Sequence, residues 1–321
     1  MLCLGLDTSN YTTSLALADE QEQIIYEDHK LLTVKEGERG LRQSEALYQH
    51  VVNLPALMQK IPKEISLKKE VAVIAVSDKP RPQEDSYMPV FRAGILLAES
   101  LGRAFEVPVV RVSHQENHLR AALYGCGLTD KEVAFPLIGT HFSGGTSEIL
   151  LATYRPGGYD CKIVGKTLDL NAGQLIDRIG VAMGYAFPAG RSIEALAQKA
   201  LQRDCVIPSR VEGYDFHFSG QENKALSLLA SGTAQEEVAF GLLRSVAKTL
   251  SKTIGPLGKE SGARDVVFSG GVMSNGIIRQ IVEKELSRSG LRLHFTTPEC
   301  AADNARGTAL LGIRAVKEAI G

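Results

Sequence analysis

Two histidines four residues apart are the first feature of this sequence with the chemistry of a metal site. His114 and His118 lie in the segment VSHQENHLRAAL, directly after the apolar stretch VPVVRV. Ser113 and Glu116 have the S-x-x-E spacing of a capping box, which predicts that a helix begins at His114. Residues four apart share one helix face, so both imidazoles can hold one ion. The alternative is that the two histidines belong to a polar helix face beside a cleft. The motif is not that of the H-E-x-x-H proteases, because Gln115 stands where their catalytic glutamate would be.

A carboxylate near the C-terminus is a candidate third ligand. Asp303 follows the predicted strand LRLHFTT, and the small residues after it predict a helix that begins at this aspartate. Two histidines and one carboxylate form a ligand set that leaves open positions for a substrate. The alternative role of Asp303 is an N-cap of the helix.

Two Ser-Gly-Gly turns favour a nucleotide site. They lie in FSGGTSE, which contains Ser143, Gly144 and Gly145, and in FSGGVMSN, which ends at Asn275. Glycine has no side chain, so backbone N–H groups in such turns can approach a phosphate or a ribose. One such turn is usually only a tight connection, but two at matching places favour a nucleotide cleft. Asp177 on a predicted helix is suited to ribose hydroxyls, with a solvated helix charge as the alternative.

Predicted strands and helices follow one order twice along the chain. Residues 1–130 contain three strands, a helix, a strand, a helix and a strand that leads into the HxxxH helix, and residues 131–321 repeat this order with a helical insertion. The segments GLDTSNYTTSLALA and THFSGGTSEILLAT are alike at an offset of about 135 residues, which indicates a duplicated domain. We predict an α/β fold of two actin-like (ASKHA-type) βββαβα lobes around a central nucleotide cleft, with the last helix packing back across it.

The composition is that of a globular cytoplasmic protein. The 321 residues are 44% hydrophobic and 23% charged, with a net charge of -1, and no apolar run is long enough to span a bilayer. Five scattered cysteines without a CxxC pair argue against a disulfide framework and a structural zinc site. The N-terminal sequence is not that of a signal peptide. We predict a soluble protein of the cytoplasm with no membrane role, on which a local basic face for nucleic acid is not excluded.

Taken together, the motifs resemble those of the TsaD family, the tRNA threonylcarbamoyladenosine transferases once called Gcp-type glycoproteases. The resemblance runs nearly end to end, through LGLDTSNYTTSLAL, HQENH, FSGGTSEI, AGQLIDR, FPAG, DFHFSG, FSGGVMSN and CAADNA. It implies transfer of a threonylcarbamoyl group from threonylcarbamoyl-AMP to N6 of adenosine 37, beside the anticodon of tRNA. It also implies one divalent metal ion per chain, Fe²⁺ or Zn²⁺, an adenylate or ATP-type nucleotide as substrate, and two partners, a shorter TsaB-like paralogue and a TsaE-like ATPase.

The resemblance assigns roles to individual residues. The metal ligands of the family fall on His114, His118 and Asp303, and the ion would polarise the carbamoyl-phosphate group. Some members have a tyrosine two residues before Ser-Gly-Gly; His141 stands there, and we expect it to be a fourth metal ligand, with a merely positional substitute as the alternative. The nucleotide contacts of the family carry over to Ser143, Gly144, Gly145, Asp177, Gly190 and Asn275.

The sequence departs from the family pattern in four places. Residues 10–12 replace an acidic pair, residues 78–89 replace a Gly-Pro-Gly loop, Gln174 replaces a glutamate, and Thr146 replaces a histidine or asparagine. These positions are suspected of handling the acceptor or a partner. Two alternatives therefore stay open: a paralogue that transfers a carbamoyl-type group to another acceptor, and a nucleotide-binding, non-catalytic partner subunit.

Three other observations narrow the choice. The retained metal ligands argue against a non-catalytic subunit, because a scaffold needs no ligand set. A metalloprotease is disfavoured because no general base accompanies the two histidines. A sugar kinase is also disfavoured, because it would need a catalytic aspartate near the sugar and would have no need for an HxxxH motif.

Overall fold

The structure is a computed structural model that describes residues 1–9, 11–34, 41–83, 85–301 and 303–320. Strands and helices alternate along these ranges. In chain order they are β1 (Leu2–Asp7), β2 (Thr12–Asp19), β3 (Ile24–Leu31), α1 (Gln43–Gln59), α2 (Leu67–Glu70), β4 (Val71–Lys79), α3 (Phe91–Phe105), β5 (Val109–Ser113), α4 (His114–Gly125), β6 (Leu137–Phe142), β7 (Ser147–Arg155), β8 (Gly158–Lys166), α5 (Ala172–Ala182), α6 (Gly190–Ala197), β9 (Arg210–Glu212), β10 (Asp215–His217), α7 (Ser219–Ala230), α8 (Gln235–Ser261), β11 (Asp265–Ser269), a 3₁₀ turn (Gly271–Ser274), α9 (Gly276–Leu286), β12 (Arg292–Phe295), α10 (Pro298–Ala301) and α11 (Arg306–Ile320).

The first of two compact units consists of Met1–Gly127, Tyr154–Cys161 and Ala302–Gly321. Its five-stranded sheet has the order β3-β2-β1-β4-β5. The first three strands pair antiparallel, whereas β4 and β5 run parallel to β1. The apolar run of β4 suits this position, because a central strand covered on both faces has no solvent side to make polar.

Different residue types cover the two faces of this sheet. Large side chains of the sheet, such as Leu4 and Val76, pack with α1 and α3 on one face. On the other face, Cys3, Ala16 and Ala75 lie against α11. Small side chains allow a helix to approach a sheet closely, so this face fixes the position of α11 and of the residues just before it.

The second unit consists of Leu128–Thr153 and Lys162–Ala301. Its sheet has the order β12-β11-β6-β7-β8, in which β6 pairs parallel with β11 and antiparallel with β7. The 27-residue helix α8 crosses its core, and its buried residues Val238, Leu242, Val246 and Leu250 recur at the spacing of one helix face.

The predicted duplication is confirmed by the topology. If the five strands of each large sheet are numbered in chain order, both sheets have the spatial order third, second, first, fourth, fifth. The short β9–β10 hairpin forms a separate sheet. The predicted lobe boundary at residues 130 and 131 stays a prediction. The compact units differ from it, because Tyr154–Cys161 and α11 belong to the first unit.

Asp265 on β11 provides a test of how the second sheet is held together. Its buried carboxylate accepts hydrogen bonds from Ala134 N at 2.8 Å, Arg292 Nη2 at 2.5 Å and His294 Nε2 at 2.7 Å. Burial alone would raise the pKa of Asp265, but the bonds from Arg292, Ala134 and His294 outweigh it and lower the pKa.

We expect Asp265→Asn to lower the free energy of unfolding at pH 7 by about 2–3 kcal/mol, because charged hydrogen bonds are lost. A group whose pKa is depressed by folding stabilises above its unfolded pKa, about 3.9, and loses that contribution as the pH falls. The deficit should therefore shrink below about pH 4. Urea unfolding at several pH values tests this, with exposed Asp204→Asn as the control. A loss of unfolding free energy that did not change with pH would contradict the stabilising role of the ionised Asp265 carboxylate.

Candidate metal centre

The helix that carries the two histidines begins where the sequence predicts. Ser113 ends β5 and is the N-cap of α4. Its Oγ accepts from Glu116 N at 3.2 Å, and its own N–H donates to Glu116 Oε2 at 2.8 Å. The predicted capping box is confirmed, and it places His114 in the first turn of α4.

His114, His118 and Asp303 converge within the first unit. The Nε2 atoms of the two histidines lie 2.9 Å apart. Asp303 Oδ1 lies 3.1 Å from His118 Nε2 and 3.7 Å from His114 Nε2. All three side chains are partly buried. Among the residues that the structure describes, this is the only group of three such side chains arranged to hold a metal ion.

A buried carboxylate orients the first histidine. Asp7, at the end of β1, is 1% exposed, and its Oδ2 lies 2.9 Å from His114 Nδ1. The same oxygen accepts from Ser77 Oγ at 2.7 Å and from Asn117 Nδ2 at 3.0 Å. A carboxylate on one ring nitrogen directs the other toward the ion, as at many histidine metal sites. Sequence reasoning missed Asp7, although it stands in LGLDTS, directly at the end of an apolar strand.

The structure corrects the position of Asp303 relative to its helix. The helix α11 begins at Arg306 rather than at Asp303, which lies in a bend. The Asn304 side chain accepts from Arg306 N at 2.9 Å. Asn304 therefore bonds to the first residue of α11, the capping role that was the alternative for Asp303. The Asp303 carboxylate therefore faces the histidines.

Asn117 connects α4 to this segment. Its Nδ2 donates to Asn304 O at 2.5 Å, and its Oδ1 accepts from Thr308 N at 2.8 Å. Since Asn117 lies between the two histidines and bonds on both sides of Arg306, it fixes the helix that carries His114 and His118 relative to the bend that carries Asp303.

The electrostatics of the cluster suit a cation. Burial would raise the pKa of both Asp7 and Asp303. At Asp7 the charge and hydrogen bond of His114 outweigh the effect of burial, so the pKa of this carboxyl lies below its usual range. At Asp303 the hydrogen bond from His118 and the charges of both imidazoles outweigh burial and lower the pKa in the same way. Burial would lower the pKa of His114, but Asp7 and Asp303 raise it. Two imidazoles with two ionised carboxylates nearby fit a divalent ion such as Zn²⁺ or Fe²⁺.

The role of Asp7 can be tested separately from the ligands. We expect Asp7→Asn to weaken Zn²⁺ binding about 10–100-fold, because an amide supports the ligating imidazole less well than a carboxylate does. Competition with a chromophoric chelator measures the affinity. Asp28→Asn, which removes a surface ion pair with Lys60 in the same unit, is the matched control. Equal affinities for the two variants would contradict this role.

The residues expected to contact the nucleotide all lie in the second unit. Ser143 Oγ accepts from Gly145 N at 3.2 Å, and Gly173 N at the start of α5 donates to Ser143 O at 3.0 Å. A Cβ added to Gly144, Gly145 or Gly190 would meet no atom within 4 Å. The Cα atoms of these three glycines therefore border open space.

The remaining members of this set have structural bonds of their own. Asp177 Oδ1 accepts from Ala189 N at 2.8 Å, next to Gly190. Asn275 Oδ1 caps α9 by accepting from Ile278 N at 3.0 Å. His141 is in β6, with Nδ1 3.3 Å from Ser269 Oγ. The roles of these residues toward a nucleotide or an ion stay predictions.

The positions that depart from the family pattern are partly described. Residues 10 and 84 lie outside the described residues. Gln174 Oε1 accepts from Asn171 N at 3.3 Å as part of a capping box. The strand β4 extends to Lys79, and directly after it Pro80 O accepts from Gln115 N at 3.0 Å, so the chain contacts the first turn of α4 here. Across the described ranges no helix combines the length and apolar character needed to cross a bilayer.

Solved structures with the same fold have different activities. The chain matches HypF of T. kodakarensis at a TM-score of 0.60 and 16% identity, over 98% of this chain and 47% of that one. It matches a ROK family glucokinase from Streptomyces griseus at 0.55 and 12%, over 99% and 100%. It also matches the activator of 2-hydroxyisocaproyl-CoA dehydratase from Clostridium difficile at 0.54 and 15%, over 100% and 97%. These similarities confirm the duplicated actin-like (ASKHA-type) α/β fold.

Similarity in sequence assigns the chain to a family, whereas the solved structures assign only its fold. The chain is 27% identical over 313 residues to a tRNA N6-adenosine threonylcarbamoyltransferase of Archaeoglobus fulgidus, covering 98% of this chain and 91% of the relative. It is 28% identical over 321 residues to the protein of the same name from Thermus thermophilus, covering 98% and 93%. The model of the family described as TsaD, tRNA N6-adenosine threonylcarbamoyltransferase, matches residues 24–309. The chain therefore belongs to the TsaD family.

Proposed function

We propose that this protein transfers a threonylcarbamoyl group from threonylcarbamoyl-AMP to N6 of adenosine 37 in tRNA, in a metal-dependent reaction. The observation that carries the proposal is the convergence of His114, His118 and Asp303, oriented by Asp7, in a chain of the TsaD family. The ligand set survives although four other motifs differ. A non-catalytic subunit would not need three ligands and a buried carboxylate behind one of them.

In the proposed reaction the N6 amine forms a bond to the carbamoyl carbon of the adenylate. The bond between this carbon and the phosphate oxygen breaks, AMP leaves with the electron pair, and N6 loses a proton. A bound Fe²⁺ or Zn²⁺ would supply Lewis-acid stabilisation of the oxygen that becomes negative. His114, His118 and Asp303 would hold the ion, with His141 proposed as a fourth ligand. Asp7 keeps the imidazole of His114 oriented.

The second unit would bind the adenylate. The open space beside the Cα atoms of Gly144, Gly145 and Gly190 supports this assignment, because no side chain there keeps a phosphate away from the backbone. We assign ribose and phosphate contacts also to Ser143, Asp177 and Asn275. We further propose that residues 1–130 and 131–321 are the two duplicated lobes.

We also propose that the protein works in the cytoplasm with two partners, a shorter TsaB-like paralogue and a TsaE-like ATPase. A relative from Methanothermobacter thermautotrophicus supports an association of this kind. It is named a probable bifunctional tRNA threonylcarbamoyladenosine biosynthesis protein, and the chain is 26% identical to it over 55% of its length. Cys3, Cys161 and Cys205 are free thiols, which is consistent with a reducing compartment.

Transfer to tRNA can be measured directly. Purified protein is mixed with unmodified tRNA, threonylcarbamoyl-AMP and partner subunits from a working system, and the digested nucleosides are analysed by mass spectrometry. Threonylcarbamoyladenosine should form with the wild type and His29→Ala, which alters an exposed histidine on β3, but not with His118→Ala. No product despite bound metal and adenylate would refute the tRNA acceptor and favour a carbamoyl-type transfer to another acceptor.

A further inference from the structure

The hairpin tip at Tyr154–Cys161 holds a buried carboxylate of the helix that carries the two histidines. Glu116 lies on α4 and is 1% exposed. Its Oε1 accepts hydrogen bonds from Arg155 Nη2 at 2.7 Å and from Tyr159 N at 2.9 Å. Its Oε2 accepts from both Ser113 N and Ser113 Oγ at 2.8 Å. Each oxygen of this carboxylate therefore has two donors, one pair from the hairpin tip and one pair from the N-cap.

The same hairpin tip is bonded to α11. Arg314 Nη2 donates to Gly158 O at 2.5 Å. Glu318 accepts from Gly157 N at 2.6 Å and from the Tyr154 hydroxyl. The helix α4 carries two of the candidate metal ligands, and α11 directly follows the segment of the third. The hairpin tip thus contacts both elements that position the ligand set.

Packing around the Glu116 carboxylate leaves little freedom. A Cβ added to Gly158 would overlap Glu116 Oε1 and would lie 2.7 Å from Arg155 Nη2. The backbone of the hairpin tip is therefore in direct contact with the carboxylate. A buried ion pair is weak support for stability, because desolvation offsets much of the attraction between the charges. Its many directed bonds do, however, define the orientation of Glu116 and of the helix turn that carries it.

We propose that the hairpin tip positions the metal ligands and that Glu116 is the residue through which it acts. The inference rests on the proposed function in taking the cluster of His114, His118 and Asp303 as a metal site. Asn117 bonds to the segment before α11, and Glu116, one residue earlier and about 100° around the helix, bonds to the hairpin tip. Attachments on different faces restrict the rotation of α4 about its axis.

The required precision explains why the attachment at Glu116 matters. Side-chain atoms lie about 5–6 Å from a helix axis, so a rotation of about 10° displaces them by about 1 Å. Ligand atoms of a metal site must hold their distances within about 0.2 Å, and functional groups in general within about 0.5 Å. Besides Asn117, α4 is held by the bond of Gln115 N to Pro80 O and by Asp7 at His114, and the attachment at Glu116 limits the rotation that these bonds leave. Glu116 is therefore a positioning residue, and it does not touch the ion.

Cobalt binding tests this role without measuring transfer. Co²⁺ is titrated into wild type and Glu116→Gln, and both the affinity and the visible absorption spectrum, which reports ligand geometry, are recorded. The variant keeps the size of the side chain but loses the charge that pairs with Arg155. We expect about tenfold weaker Co²⁺ binding and a changed spectrum, the size of effect typical of groups that support ligands from behind.

Two further variants separate positioning from folding. Asp265→Asn lowers stability in the second unit and should bind Co²⁺ with wild-type affinity and spectrum. Arg155→Met removes one donor from a side chain that is 38% exposed, so it should fold and show a smaller change in the same direction as Glu116→Gln. Wild-type Co²⁺ binding by both Glu116→Gln and Arg155→Met, with only a lower unfolding midpoint, would overturn the positioning role. A wild type that binds Co²⁺ but never modifies tRNA would instead refute the proposed function alone.

Discussion

Replacing Asp303 by alanine is expected to lower the rate of the proposed threonylcarbamoyl transfer by about 10²–10³-fold. The change removes the one carboxylate among the three proposed ligands, and two imidazoles alone hold a divalent ion less tightly. The metal that copurifies with the protein should fall in parallel. Elemental analysis by mass spectrometry and nucleoside analysis of the product tRNA measure the two effects on the same preparations.

The matched control for this change is Glu20→Ala, which removes an exposed carboxylate of the same unit. It should keep both metal and activity. The unfolding midpoint of Asp303→Ala should stay close to that of the wild type in the presence of a chelator, because the carboxylate does not cap α11. Full activity of Asp303→Ala with one equivalent of metal would show that this aspartate is not a ligand.

Gly307→Ala is expected to destabilise the first unit by about 2–4 kcal/mol and to weaken metal binding as well. A Cβ at this position would overlap the carbonyl oxygen of Asn117 and lie 2.8 Å from Asn117 Oδ1. The start of α11 would have to move away from α4, which breaks the bonds of Asn117 to Asn304 and Thr308. Since Asp303 lies four residues earlier, its carboxylate would move with this segment.

The control for the glycine change is Gly220→Ala on α7, where a Cβ would meet no atom within 4 Å. Alanine is the better helix former, so this variant should be unchanged or more stable by up to about 1 kcal/mol. Chemical unfolding and Zn²⁺ titration of both variants give the comparison. If Gly307→Ala matched Gly220→Ala in both assays, the close contact between α4 and α11 would not determine the geometry of the site.

Much of the fold follows from local patterns in the sequence. The run VAVIAV predicts a strand covered on both faces, and it is the fourth strand of the first unit, β4, beside β1. The S-x-x-E pattern at Ser113 predicts the first residue of α4, because a capping box depends only on groups within one helix turn. The two histidines consequently lie on one helix face, as their spacing indicates.

The parts of the site that sequence reasoning missed depend on contacts between distant segments. Asp303 and Asn304 are both suitable caps, and only the bonds between Asn117 and the segment before α11 decide which one turns toward the histidines. Asp7 is separated from His114 by 107 positions, and the parallel strands of one sheet bring them together. Glu116 is recognisable as a capping residue, but its bonds to Arg155 and Tyr159 come from a hairpin about forty residues later.

The central claim is that His114, His118 and Asp303 hold one catalytic metal ion. The most direct measurement is X-ray diffraction from crystals of the wild-type protein grown with Zn²⁺, recorded on both sides of the zinc absorption edge. We predict one strong anomalous peak per chain within bonding distance of the two Nε2 atoms and the Asp303 carboxylate. No peak there, with zinc bound elsewhere or not at all, would contradict the claim.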